Sequence, residues 1–454
     1  MLIRFVVSNF MSFKEETEFN MLKSKGNGSR QLPNHIIKTN SGVEVLKTAA
    51  IYGANAAGKS NLINAISYLK DIVFGEETLL IPQSKRFRLD ESYKNKSSIF
   101  RIEYEFEKLH FDYAVEIYKG KIKEEWLYLV KSVSKEKEEL LFKREGKEVI
   151  FGDYFKKSGD LNYVEKFLKK ELKDTQTVLN TCYKVFDEND ILDKALLSFE
   201  KIKIFNPDTI DSDYTSDILM NQKSKLFTKE LLLNSKTGIE DIVSEKTKAE
   251  LFFGYDDNDL KNELIDFLEN NDTEDIDPDK TPVVHFVRKG SYNAFIKENN
   301  EYYVVVLKTK HFNSDSLFNF DEESDGTNRL FELSPAFEQL MSDTEIVYII
   351  DELERSMHPL LARELLKMYS YNSTSKSQLI FTTHESHLLD DDLLRRDEIW
   401  FTEKKADGST EFYPLSNFNP RGDKVLERGY LQGRYGGIPF LGDFSKLIKE
   451  ETLK

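Results

Sequence analysis

The run Gly53-Ala54-Asn55-Ala56-Ala57-Gly58-Lys59-Ser60 constrains this chain more than any other feature in it. It matches GxxxxGK[ST] in full, and its flanks match as well. Residues 47–52 (KTAAIY) read as a short buried strand, and residues 60–74 place Leu62, Ile63, Ile66, Leu69 and Ile72 at helical spacing. Strand, glycine-bounded turn and helix together make a cradle of backbone N–H groups that closes around a triphosphate. Lys59 supplies a fixed cation for the β and γ oxygens, and Ser60 a hydroxyl for Mg²⁺. At average residue frequencies, such a run arises by chance in a chain this long roughly one time in fifty, before its flanks are considered. Residues 53–60 are therefore expected to bind ATP with Mg²⁺.

A second apolar run, EIVYII at 345–350, ends in Asp351-Glu352. Acids at the carboxyl end of a buried strand lie where α/β sheets bind ligands. Asp351 is expected to hold the hydration shell of Mg²⁺, and Glu352 to orient and deprotonate the attacking water. The next buried strand, QLIFT at 378–382, leads into Thr383-His384, so His384 is expected on the same sheet edge, within reach of a γ-phosphate. Ser356-Met357-His358-Pro359 breaks the chain before a new helix. Further upstream, Ser324-Asp325-Gly326-Thr327 precedes the helical run Leu330, Phe331, Leu333. Ser324 or Thr327 is expected to cap that helix, whose N-terminus attracts an anion.

The remaining pattern sets the organisation. Residues 2–20 alternate as a hairpin, and 98–150 change to short strands with Gly-containing turns, an antiparallel meander. Residues 155–275 read mostly as helices, without the sustained heptads of a coiled coil. The acidic stretch 269–280 reads as a solvated loop, strands resume at 282–288 and 302–308, and the tail after 398–404 reads as irregular. Buried strands alternating with helices imply a mostly parallel α/β sheet. Three segments follow: an N-terminal lobe (1–154), a helical insertion (155–280) and a C-terminal lobe (281–454).

Composition narrows the function. With 33 Phe and 21 Tyr among 454 residues there is ample material for a core. The one cysteine, Cys182, excludes a disulfide framework and points to a reducing cytoplasm. No apolar run reaches the ~20 residues of a membrane helix, so no membrane contact is expected. The net charge of −16 argues against wrapping nucleic acid over the whole surface, although it allows a local basic groove.

In order, GANAAGKS, the long 98–320 region, SDGT, VYIIDE, RSMHP and TTHES resemble the ABC-type ATPase heads of the SMC, RecF and OLD-like group. Asn9-Phe10 and Ser12-Phe13 resemble the start of the same group. More narrowly, the chain is similar to the AAA-family, abortive-infection ATPases of bacterial anti-phage systems, the class that includes the PARIS ATPase. The runs DELERSMHP, THESHLL and RYGGIPF carry that similarity. The signature departs from the family's Ser-Gly-Gly-Gln form, reading SDGT. The resemblance implies an ABC/SMC-like head and ATP hydrolysis by Glu352, with Lys59 and His384 in the catalytic set. It also implies head-to-tail assembly, with Ser324 and Gly326 of one copy closing over ATP held by another. Asp390-Asp391-Asp392 reads as a solvated turn rather than a nuclease centre, so the toxic activity is expected in a separate effector protein. The class implied is a sensor or regulator of an anti-phage system. The alternative is a DNA-clamping ATPase of repair or maintenance, in which DNA is contacted directly.

Overall fold

The computed structural model describes residues 1–24, 32–75, 83–132, 137–156, 161–183, 191–206, 218–219, 221–254, 257–270, 283–288, 291–342, 344–372, 374–418 and 426–439. The chain divides into two compact units. The first comprises Met1–Ile204, Asp343–Leu353 and Ser370–Lys454, and the second Phe205–Ser342 and Glu354–Tyr369. The expected boundary at residue 154 falls inside the first unit, because its central sheet pairs strands from both ends of the chain.

That central sheet runs in the order Ile202–Phe205, Val347–Ile350, Gln378–Thr383, Thr48–Gly53, Ile399–Lys404, Thr410–Pro414. The four strands from Val347–Ile350 to Ile399–Lys404 are parallel neighbours. Three of them, VYII, QLIFTT and TAAIYG, are buried at every position, as a sheet covered on both faces requires. Thr410–Pro414 returns antiparallel to Ile399–Lys404. The tail expected to be irregular therefore supplies an edge strand, turned by Gly408 at φ 79°.

The meander forms a seven-stranded antiparallel sheet whose far end is completed by Leu2–Ser8 and Thr17–Asn20. The hairpin and the meander expected separately are joined by pairing of Leu2–Ser8 with Ser98–Phe106. One apolar cluster packs the two sheets together, including Phe5, Val7, Ile102 and Tyr113 with Ile51, Ile349 and Ile380. The helix Lys59–Phe74 turns Leu62, Ile63, Ile66, Leu69 and Ile72 into that cluster. Its registration in the core fixes where the 53–60 turn can lie. Gly75, at φ 77°, stops the helix by donating its N–H back to Asp71 and Ile72.

Residues 155–280 contribute helices to each unit, Leu161–Glu171 to the first and Gln222–Asn234 to the second among them. They also contribute two strands that the helical reading missed, Ile202–Phe205 and Ile239–Lys248. Most of the acidic stretch expected as a loop at 269–280 lies outside the described residues.

The second unit carries its own sheet, ordered Ile239–Lys248, Glu301–His311, Ser291–Glu298, Val283–Arg288. A small apolar cluster lies under it, formed by Ala249, Phe253, Leu264, Leu268, Phe295, Val304 and Val306. The helices Gln222–Asn234 and Asp325–Met341 meet through the Thr228 and Ser334 hydroxyls, 2.7 Å apart. Among the described residues, no helix is long and apolar enough to cross a membrane.

Candidate active site

Strand registration brings the expected site residues of the first unit to one edge. Tyr52 pairs with Thr383, and Ile350 with Phe381. The strand Gln378–Thr383 lies between the other two, so His384 emerges between the 53–60 turn and Asp351-Glu352. Asp351 is 5% exposed, Glu352 half-buried and His384 exposed.

The turn is held from inside and from its flanks. The Lys59 ammonium, itself buried, donates to the carbonyls of Gly53 at 2.9 Å and Ala54 at 3.3 Å, closing the loop on its own start. Ala56 at φ 62° and Gly58 at φ 110° turn the chain through left-handed conformations, the alternation that makes a backbone anion nest. Asn55 and Ala56 are exposed, Ala54 is half-buried and Ala57 is buried. The glycines answer a packing need. A Cβ on Gly53 would sit 2.1 Å from the Thr402 hydroxyl, and one on Gly58 would sit 2.2 Å from that of Thr410. Thr410 donates to the Ala57 carbonyl at 2.8 Å and lies 2.7 Å from the Ser12 hydroxyl, which accepts from Asn61 at 2.6 Å.

The acidic pair is set by Thr382, whose hydroxyl donates to Asp351 and accepts the N–H of Glu352 at 2.8 Å. Leu353 N–H then donates to the Thr382 carbonyl at 3.2 Å. Glu352 itself stands at φ 49°, a left-handed backbone that costs a non-glycine residue about 1 kcal/mol. These bonds hold that conformation, and the turn they fix separates the roles of neighbouring carboxylates. Asp351 is buried against the Thr382 hydroxyl, while Glu352 is half-buried at the turn.

The donor chemistry at this edge fits Mg²⁺. Ser60, exposed at the helix start, and Asp351 offer hard oxygen donors, and an ion of this kind completes its shell with phosphate oxygens and water. Bound there, Mg²⁺ would neutralise charge on a triphosphate. Asp391, by contrast, is engaged by Arg396 at 2.8 and 2.9 Å, and Asp390 accepts the N–H of Asp392 at 2.8 Å. Among the described residues, no cluster of three or more His, Cys, Asp or Glu has a metal-binding arrangement.

Ser324 and Gly326 belong to the second unit. Ser324 caps the helix Asp325–Met341, accepting the N–H of Thr327 at 3.2 Å. Gly326 packs against the turn of Ser356-Met357-His358-Pro359: a Cβ would meet the Ser356 carbonyl oxygen at 2.8 Å. Ser356 is itself left-handed, at φ 60°. Two motifs separate in sequence are thus adjacent here.

Thr402, Thr410 and Asn61 carry no motif in the sequence, and Thr382 appears there only as the last residue of QLIFT and the first of TTHES. Threonine in an apolar strand reads as an ordinary β-former, so its hydroxyl gives no signal. Ser12 was visible only within the N-terminal run resembling the SMC group.

A family model described as "AAA domain, putative AbiEii toxin, Type IV TA system" matches residues 49–160 and 165–390, most of the chain. The chain belongs to this AAA family. It is an AAA ATPase of the abortive-infection class, with the α/β sheet expected from its motifs. No curated protein matches it. Among solved structures, this AAA ATPase is similar to the SMC head domain from Thermotoga maritima, at 14% identity and TM-score 0.39, covering 91% of this chain and 98% of that one. It is also similar to an SMC head with an extended coiled coil, bound to the C-terminal domain of ScpA derived from Pyrococcus furiosus. That match has 13% identity and TM-score 0.43 and covers 95% of this chain and 98% of the other. A third, an SMC head bound to the C-winged helix domain of ScpA, matches at 15% identity and TM-score 0.40, covering 91% and 97%.

Proposed function

We propose that this AAA ATPase is the ATP-driven switch of an anti-phage, abortive-infection defence system, acting in the cytoplasm. It assembles head-to-tail on ATP and holds or releases a separate effector protein. The observation that carries the ATPase part is Thr382 gripping Asp351 and the Glu352 amide beside the 53–60 turn. In this reading Gly53, Ala54, Asn55, Ala56, Ala57 and Gly58 wrap the phosphates, and Lys59 neutralises the β and γ oxygens. Ser60 and Asp351 hold Mg²⁺. Glu352 takes a proton from water as its oxygen bonds to the γ-phosphorus and the bond to the β–γ bridging oxygen breaks, leaving ADP and phosphate. His384 hydrogen-bonds the γ-phosphate and reports its presence. Ser324 and Gly326 of a second copy close over that phosphate, so ATP acts as glue between copies and hydrolysis releases them. Family membership supports the defence role.

Glu352→Gln in the presence of ATP tests the shared site. The variant is expected to form a dimer or larger assembly by mass measurement and to dissociate when nucleotide is removed. A variant that stays monomeric at every ATP concentration rules the shared site out.

A second reading, a DNA clamp, is favoured by one feature. The helix Leu161–Glu171 buries Val164 and Leu168 and leaves Lys166, Lys169 and Lys170 exposed. Hydrolysis stimulated by DNA and falling steeply with salt would favour it. Slow DNA-independent hydrolysis, with a neighbour-encoded protein co-purifying, favours the regulator.

A further inference from the structure

The Arg434-Tyr435-Gly436-Gly437 run, singled out in sequence, has no part in the site described above, yet it is built tightly. Gly436 and Gly437 are left-handed, at φ 70° and 68°. A Cβ on Gly436 would lie 2.2 Å from the Tyr413 hydroxyl, and one on Gly437 would lie 3.1 Å from the Phe401 ring. Gly437 N–H donates to Glu403 at 2.9 Å, and the Tyr430 hydroxyl donates to the Gly437 carbonyl at 3.0 Å. The turn therefore clamps the short helix Leu426–Leu431. The ring of Tyr430 packs against Phe401 at 5.6 Å and against Tyr52, the residue before Gly53, at 5.7 Å.

One side chain of that clamped helix reaches the loop after His384. Glu427 Oε1 accepts from the Ser386 hydroxyl at 3.1 Å and lies 2.9 Å from His387 Nδ1. Ser386 opens the short helical turn Ser386–Leu388, whose Leu388 is buried. On the other side of His384, the Thr383 hydroxyl accepts the Glu385 N–H at 3.0 Å. His384 thus stands between a fully buried strand and a turn tied to Glu427.

We propose that Glu427 is a positioning residue for ATP hydrolysis: it holds the Ser386–Leu388 turn so that His384 faces the γ-phosphate. The inference rests on the ATPase reading of the site. His387 is 66% exposed in this pair, and an ion pair so open to water contributes little to stability. A purely structural role therefore predicts little change in turnover when it is removed. A positioning role predicts a selective loss in turnover, because small misplacements of a group near the reacting atoms weigh heavily on rate.

The test uses the full chain with Glu427→Ala, Glu427→Gln, His384→Ala and the Glu427→Ala/His384→Ala double variant. Glu427→Ala is expected to lower kcat about tenfold with KM for ATP within about twofold of the parent. Glu427→Gln should keep most of the rate, since its amide oxygen still accepts from Ser386. The double variant should be no slower than His384→Ala alone, because Glu427 acts through His384. A Glu427→Ala protein as fast as the parent, or a double variant slowed by the product of the two single effects, overturns the proposal. Hydrogen exchange at amides 384–389 gives a second readout that needs no turnover. It should rise in Glu427→Ala and stay at the parent level in Glu427→Gln, and unchanged exchange in the alanine variant also overturns it. A parent that hydrolyses no ATP would sink the ATPase reading, leaving the tether to be decided by exchange alone.

Discussion

The two units build their motifs by different means. In the first, the 53–60 turn is locked by Lys59, Thr410 and Ser12, between glycines that lack room for a side chain. It stands on a helix buried in a core that spans two sheets. In the second, the 324–326 turn is held by a one-residue helix cap and a glycine contact, in a unit whose sheet covers a small apolar cluster. The contrast teaches where pre-organisation matters. In the proposed reading, the loop that wraps the triphosphate is built rigid in advance, whereas the turn that closes on a second copy's nucleotide only needs its helix end intact. The first then loses function when its machinery is cut, and the second loses stability more readily.

The largest effect should come from the rigid side. Lys59→Ala removes the cation and the loop's own staple together. Hydrolysis is expected to fall by at least ~100-fold, and ATP binding by calorimetry to be lost, while the second unit stays folded. Retained hydrolysis would show that the phosphates do not sit on this turn.

The opposite cut falls in the small core. Phe253 is 3% exposed and packs against Phe286 at 5.8 Å and Phe295 at 6.1 Å. Phe253→Ala should cost about 3–4 kcal/mol. This is expected to split unfolding into two transitions, with ATP binding surviving the first. A single transition, shifted as a whole, would mean that the units fold as one.

How far these differences were readable depends on the kind of signal. The phosphate loop, the acidic pair and the His384 strand are local patterns of composition and period, so sequence exposes them directly. The strand Ile239–Lys248 (IEDIVSEKTK) is not: its charges gave a helical reading. In the fold it pairs along its length with Glu301–His311, and ion pairs such as Lys248 with Glu301 at 2.7 Å satisfy its charges. Thr410–Pro414 was missed for a related reason. Its place is decided by its partner strand and by the Ala57 carbonyl, 353 residues away in sequence. A contact with so remote a segment leaves no periodic trace in either one.

A buried acid distinguishes the first unit by its response to pH. Glu125, fully buried, accepts the N–H of Val178 at 2.8 Å and the Tyr113 hydroxyl at 3.1 Å, and lies 3.8 Å from Arg144. Burial pushes its pKa up to about 7, against the opposing pull of Arg144 and the amides. A carboxyl whose folded pKa is raised contributes stability that is present below its unfolded value of 4.5 and is lost as pH rises through about 7. The parent should therefore lose on the order of 3 kcal/mol across that window. Glu125→Gln, which mimics the protonated form, should flatten the dependence. Urea midpoints at acid and neutral pH measure it, and equal slopes in both proteins would remove Glu125 from the account.

The smallest expected change in stability is at Ser324, and it separates two jobs held by one side chain. Ser324→Ala removes the cap of Asp325–Met341 and should cost about 1 kcal/mol in the second unit. Ser324→Asp, in contrast, caps at least as well and adds a negative charge favourable to a helix N-terminus, so stability should be kept or slightly raised. Facing a partner's triphosphate, that same charge repels. In the Glu352→Gln background with ATP, Ser324→Asp is thus expected to stay folded and fail to assemble, whereas Ser324→Ala should assemble weakly. An aspartate variant that assembles as readily as its parent would mean that the 324–326 turn faces no phosphate, and that its place in the chain is explained by the helix it begins.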